Sequence, residues 1–149
     1  MDQPTWAPPA PPRLWTPGFI PLVFGGITAA IGGLFLPWVS FASPLLGRVD
    51  RTGFETGGGK GIGLALVILA AIAWQELQHP HHAARVVLLI GLALVGVLLA
   101  RDYHQLVQAI AAAKREGFGQ VDVGAGMFLS GGGLSVAATG ALGRLRRGR

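Results

Sequence analysis

The sequence has no cysteine. Disulfides, thiolate nucleophiles and cysteine-based metal sites are therefore excluded. Charge is also sparse: 12 basic and 7 acidic residues among 149, bunched rather than dispersed. Four segments, Phe19–Val39, Gly61–Trp74, Val86–Ala100 and Val123–Gly143, contain no Asp, Glu, Lys, Arg or His. A soluble helical protein carries charge on its outer face every turn or two, so whole charge-free helices argue against a soluble bundle. Asp50, Glu55, Glu116 and Asp122 are scattered among Gly and Arg, with no nucleophile–base pair and no carboxylate cluster. That scatter argues against an enzyme. The basic residues form no stripe with interleaved aromatics, which argues against nucleic acid as a partner.

What is present is apolar residue in long runs. A helix needs roughly 20 mostly apolar residues to cross a ~30 Å hydrocarbon core. In lipid every backbone polar group must be satisfied internally, so such runs are read as helices. The stretch from Gly61 to Ala100, two uncharged runs around the turn QELQHPHHAAR, predicts a helical hairpin in a membrane. The full pattern predicts an all-α, four-transmembrane-helix bundle with spans at about 19–39, 59–77, 83–101 and 123–143. A Pro-rich tail (1–18), a polar loop between helices 1 and 2, and a basic tail (144–149) complete it.

Interfacial residues fit the four spans. Trp15 and Trp38 lie 23 positions apart, ~35 Å along a helix, about the distance between the two interfacial layers. Pro37 is expected to stop or bend the first helix. Trp74, Arg85 and Arg101 mark the ends of spans two and three, the arginines by snorkelling. Arg144, Arg146 and Arg147 follow span four directly. Their density predicts cytoplasmic termini and contact with anionic lipid.

The segment Ser40–Gly59 is long for a connector and is expected to hold a short strand or hairpin around Leu46–Phe54. Its GGGKG lacks the Ser or Thr that a phosphate loop places after Lys60. Around Pro80, His79, His81 and His82 could hold Zn²⁺, Cu²⁺ or a haem, but their spacing is not that of a helical ligand pair. A solvated turn, with no metal and no cofactor, is the reading adopted. Beyond Arg101, the apolar positions Tyr103, Leu106, Val107, Ile110 and Ala113 continue the third helix. A helix from His82 to Glu116 would be ~52 Å long, so it should extend beyond the membrane. The Ser40–Gly59 loop is the candidate to cover its apolar stripe.

Small residues fall on helix faces. Gly126, Ser130, Gly133, Ala137 and Gly140 recur at spacings of four, three, four and three. Gly26, Ala29 and Gly33 form a patch on span one, and Ala93, Gly96 and Ala100 one on span three. Such faces let membrane helices approach closely. At least one is expected to meet a second copy or another membrane subunit. A weak internal repeat is also visible: TGFETGGGKGIG and EGFGQVDVGAG each run from Gly-Phe to a Gly-x-Gly that opens an apolar run.

The segments Leu36-Pro37-Trp38-Val39, Gly53-Phe54-Glu55 and Val123-Gly124-Ala125-Gly126 carry a resemblance to small tetraspan integral membrane proteins of high-G+C bacteria. The resemblance covers most of Phe19–Leu142 and implies topology but no reaction. The favoured function is a non-enzymatic structural or accessory subunit, acting by helix packing with itself or a larger membrane complex. A cofactor-binding subunit (haem, pigment or metal) using surface histidines is one alternative. An oligomeric pore or small-molecule transporter is another, although the uncharged runs lack the ionisable residues that mark ion paths.

Overall fold

A computed structural model describes residues 19–43, 47–56, 58–79, 81–115 and 120–147. Among these are four helices: α1 (Phe19–Phe35), α2 (Gly59–Gln78), α3 (His82–Arg115) and α4 (Ala125–Arg147). Strands β1 (Pro37–Ser43) and β2 (Gly47–Thr52) and a short 3-10 turn (Gly53–Glu55) lie between α1 and α2, and β3 (Gln120–Val123) precedes α4. Three helices, α2, α3 and Ala125–Gly143 of α4, are long and apolar enough to cross a membrane, and α1 is a shorter apolar helix of 17 residues.

The small sheet corrects the all-α expectation. Its order is β2-β1-β3, antiparallel throughout. Ser40 lies opposite both Asp50 and Asp122, and Phe41 opposite both Val49 and Val121. The central strand β1 begins with residues 37–39, which the apolar run had assigned to the first span. Pro37 has no N–H to continue α1, and the chain beyond it turns extended. A register shift between Pro37 and Val39 leaves the neighbours Trp38 and Val39 both buried, as a bulge does where it re-aims a side chain. The hairpin expected around Leu46–Phe54 exists but starts earlier, at Pro37. Its outer strand β2 carries exposed Arg48, Asp50 and Arg51, charges that discourage pairing of a free sheet edge.

The most extensive helix–helix interface is α1 against α4, with smaller contacts of α2 with α3, α3 with α4 and α1 with α2. Ile27, Leu34, Leu66 and Ala137 are essentially inaccessible at the centre. In contrast Leu64, Val67, Ile68, Val86, Val87, Ile90, Leu94 and Val97 stand exposed along α2 and α3. An exposed apolar band of this extent marks a membrane or protein contact.

Helix α3 is unbroken over 34 residues, ~51 Å at 1.5 Å per residue. Its last turns are not bare. Leu106, Ile110 and Ala113 are half-buried against the core, and β3 packs against this helix. The cover therefore comes mainly from β3, the strand just before α4, where the loop after α1 was expected.

Candidate functional site

The three segments Leu36–Val39, Gly53–Glu55 and Val123–Gly126, distant in sequence, meet around one side chain, Trp38. It is 1% exposed. Its indole N–H donates to the Gly33 carbonyl at 3.0 Å, satisfying the ring's one polar atom. The Gly53 backbone packs closely against the ring: a Cβ there would stand 2.5 Å from Cε2. The Trp38 carbonyl accepts from Gly124 N–H at 2.8 Å, tying β1 to the start of α4. Phe54 stacks on Phe35 with ring centres 4.8 Å apart. Glu55 accepts from Thr52 N–H at 3.0 Å and so closes the 3-10 turn. Trp38 was expected as an interfacial anchor; it is instead the buried keystone where α1, the sheet and α4 join. The chain bends into β1 there, so its ring turns inward.

Beside this junction lies a cleft of about 550 Å³, lined by Trp38, Thr56, Gly58, Leu98, Arg101, Asp102, Gln105, Leu106 and Ala109. Asp102 reaches against Gly58 at the start of α2. Its Oδ2 is fully buried and has no hydrogen-bond partner among the described residues. Arg101, expected as an interfacial anchor, is exposed and lines the same cleft.

The small residues of α1 and α4 form a continuous seam. A Cβ on Gly26 would meet Ala137 N and Gly133 O at 2.5 Å, and one on Gly133 would meet Ala30 N at 2.5 Å and Gly26 O at 2.6 Å. Gly126 lies equally close to the Gly33 and Leu36 carbonyls, and Gly33 lies against Ser130. A Cβ on Gly140 would be less crowded, 3.0 Å from side-chain carbons of Leu22 and Val23. Ala137 is fully buried, whereas Ala29 is half-buried, with its carbonyl carbon 3.0 Å from where a Cβ on Gly133 would stand. Ser130 donates across the interface to the Ala30 carbonyl at 3.1 Å. The α4 face and the α1 patch thus fill each other within one chain. The α3 patch does not join them. Ala93 and Ala100 are exposed, and with Gly96 they border open apolar grooves whose other wall is Gly131, Gly132, Leu134, Ser135 and Ala138 of α4.

At the opposite end, α2 and α3 are closed by an ion pair. Arg85 Nε donates to Glu76 Oε1 at 2.8 Å, and Glu76 is 2% exposed. A void of about 10 Å³ beside the pair is walled by Ile20, Val23, Phe24, Ala73, Leu88 and Ala141, room for a single water at most. Arg85 was expected to snorkel outward; it turns inward because a buried carboxylate must be paired. Glu76 was overlooked as a core residue, although Ile62, Leu66, Leu69, Ala73 and Glu76 recur every three or four residues on the buried face of α2. Trp74 is exposed, with Phe24 edge-on at 6.3 Å.

His79, His81 and His82 are exposed at the α2–α3 turn. His104, hydrogen-bonded to Gln108 at 2.9 Å, lies on the same helix as His82 and roughly 33 Å further along it. Among the described residues no group of three or more His, Cys, Asp or Glu is placed to hold a metal. Trp15, Pro80 and the second Gly-Phe of the repeat lie outside the described residues. Arg144, Arg146 and Arg147 belong to the last turns of α4.

On the sheet, the Ser40 hydroxyl and the Arg48 guanidinium hold the Asp50 carboxyl below the usual carboxylate range. A depressed carboxylate adds stability above its unfolded-state pKa and loses it as pH falls through the folded value. Asp50 is on the surface, so water screens the effect.

The chain matches no family model, and no curated protein matches it.

Proposed function

We propose that the protein is a non-enzymatic, four-span protein of the bacterial plasma membrane, acting as a structural or accessory subunit. Both termini face the cytoplasm, and the sheet with the last turns of α3 stands on the outer side. It works by helix packing with a second copy or with a subunit of a larger membrane complex.

The observation that carries this reading is the unfilled α3–α4 face. The seam on α4 is consumed by α1, but Ala93, Gly96 and Ala100 remain open opposite Gly131, Gly132 and Ser135. In lipid, helices associate mainly by close packing, and smooth small-residue grooves are where backbones approach. The basic tail supports the orientation.

Gly96→Leu fills this groove from a position where the nearest side-chain atom, Leu134 Cδ2, is 3.4 Å away. It should lower the mass of the complex isolated in mild detergent while the monomer keeps its melting behaviour. An unchanged mass would end the proposal. Gln3→Cys and Arg51→Cys should label from opposite sides of intact cells; labelling from one side would overturn the topology.

A further inference from the structure

The open edge of α3 continues past the apolar run. Leu89, Ala93, Gly96, Ala100, Tyr103 and Val107 recur at spacings of four, three, four, three and four. All six are exposed or half-buried, and none is charged. The first five border the apolar grooves between α3 and α4, and Val107 prolongs the row. An apolar repeat averaging 3.5 residues is the seam of a left-handed coiled coil. The neighbouring row, Leu92, Leu99 and Leu106, is already turned into the chain's own core. The helix therefore has two apolar edges, one satisfied within the chain and one open.

The length of the open edge selects what covers it. Arg101 ends the charge-free run Val86–Ala100, the level at which a spanning helix meets headgroups. Val107 lies six residues further on, ~9 Å along the axis. Hydrocarbon can cover Leu89 to Ala100, but it does not reach Val107, which is 38% exposed. The occupant is thus a helix whose own apolar seam leaves the membrane at the same level. Among the described helices α3 alone has that reach: it has 34 residues, and the others have 17, 20 and 23. The Ser135 hydroxyl on the α4 wall already donates to the Gly131 carbonyl at 2.9 Å. That wall asks an incoming helix for no polar group.

We propose that this edge packs against the same edge of α3 in a second copy, parallel and in register, as a symmetric dimer. The inference rests on the accessory-subunit reading above and names its partner. Two copies inserted with one topology are related by an axis along the membrane normal, so each residue meets its own counterpart at its own depth. Ala93, Ala100 and Val107 then face their counterparts, as do Leu89, Gly96 and Tyr103. The small residues let the axes approach to about 8 Å, the short end of the usual range. Each α3 also lies along the α4 wall of the other copy's groove. The seam ends after Val107: Ile110, next in the row, is half-buried in its own core, and Lys114 would oppose a like charge.

The chain contains no cysteine, so single introduced cysteines report the contact directly. Ala93→Cys, Ala100→Cys and Val107→Cys, each in the full chain, are oxidised in native membranes with copper phenanthroline. A disulfide requires the two Cα atoms to lie within about 7 Å. Each variant should therefore shift from 15.5 kDa to twice that mass on a non-reducing gel. Leu98→Cys and Gln105→Cys, exposed on the opposite side of α3, should stay monomeric. Gly96→Leu, added to Ala100→Cys, should remove the cross-link. Dimers at all five positions report random collision and overturn the proposal. Absence of dimer at the three seam positions overturns it too, and the mass of the complex in mild detergent then separates the two readings. A complex larger than the monomer leaves the accessory-subunit reading standing with a different partner; a monomer removes both.

Discussion

Helices α1 and α4 meet backbone to backbone, whereas α2 and α3 meet through side chains. Along the first pair, every Cβ added at Gly26, Gly33, Gly126 or Gly133 would collide with main-chain atoms of the other helix. Along the second, the comparable close approach is Gly91, and its neighbour is the end of the Leu69 side chain. The first pair is held by interlocked shape and one serine hydrogen bond; the second by leucine packing and the Glu76–Arg85 pair at its turn. Backbone contact cannot relax by a rotamer change, but leucine contact can. The difference predicts that α1–α4 is intolerant and that α2–α3 is forgiving except where charge is buried.

The largest expected effect comes from two neighbouring glycines. Gly133→Leu should cost at least about 3 kcal/mol, because the helices must separate to admit it. Gly132→Leu, at a position with nothing within 4 Å, should stay within about 0.5 kcal/mol of wild type in monomer stability. Unfolding of the detergent-solubilised protein measures both; equal effects would remove the seam from the account.

Next, Glu76→Ala should destabilise by about 3 kcal/mol, by leaving Arg85 without its carboxylate. Replacing both residues by Met should recover most of that loss, since an ion pair with its desolvation cost is exchanged for apolar packing. If the double variant is as unstable as Glu76→Ala, the pair does more than neutralise itself.

A smaller effect is expected from Ser130→Ala. Interhelical hydrogen bonds in membranes average about 0.6 kcal/mol, and the methyl group retains the shape of the seam. A loss of several kcal/mol would mean that hydrogen bonding, not close packing, holds α1 to α4. The smallest is Gly91→Ala: helix propensity favours it by about 1 kcal/mol, and the Leu69 rotation opposes it. The net change in melting stability should be under about 0.5 kcal/mol in either direction. A clear collapse there would show that α2–α3 is as tight as α1–α4, and would break the comparison.

Much of the helical layout was legible because lipid-compatible helices leave a one-dimensional signature. The absence of charge over Val86–Ala100 and the continued apolar spacing through Leu106 and Ile110 led directly to a helix that runs to Arg115. The first apolar run misled for the same reason. Phe19–Val39 is uniformly apolar, and hydropathy does not distinguish a helix from a buried strand. Pro37 marked the break, but the run was carried two residues past it, into a strand where Val39 pairs with Arg51 and Val123.

The cleft was harder still. Arg101 was noticed as a headgroup-level residue, and Asp102 only as the polar side of an extension. Their shared cleft depends on Gly58, more than forty positions earlier, and on Trp38, earlier again. The same holds for Glu76. Its spacing placed it on the buried face of α2, but its burial depended on Arg85 folding back across the turn.

By itself, then, the sequence determined where the helices run, which faces are smooth and which end is basic. Those properties follow from local periodicity and composition. Only the tertiary structure decided that α1, not a partner, fills the α4 seam, that Trp38 lies inside the junction, and that Asp102 packs against Gly58 at the start of α2. Each depends on which distant segments come within a few ångströms, and close packing at that range is set by the shapes of both surfaces together.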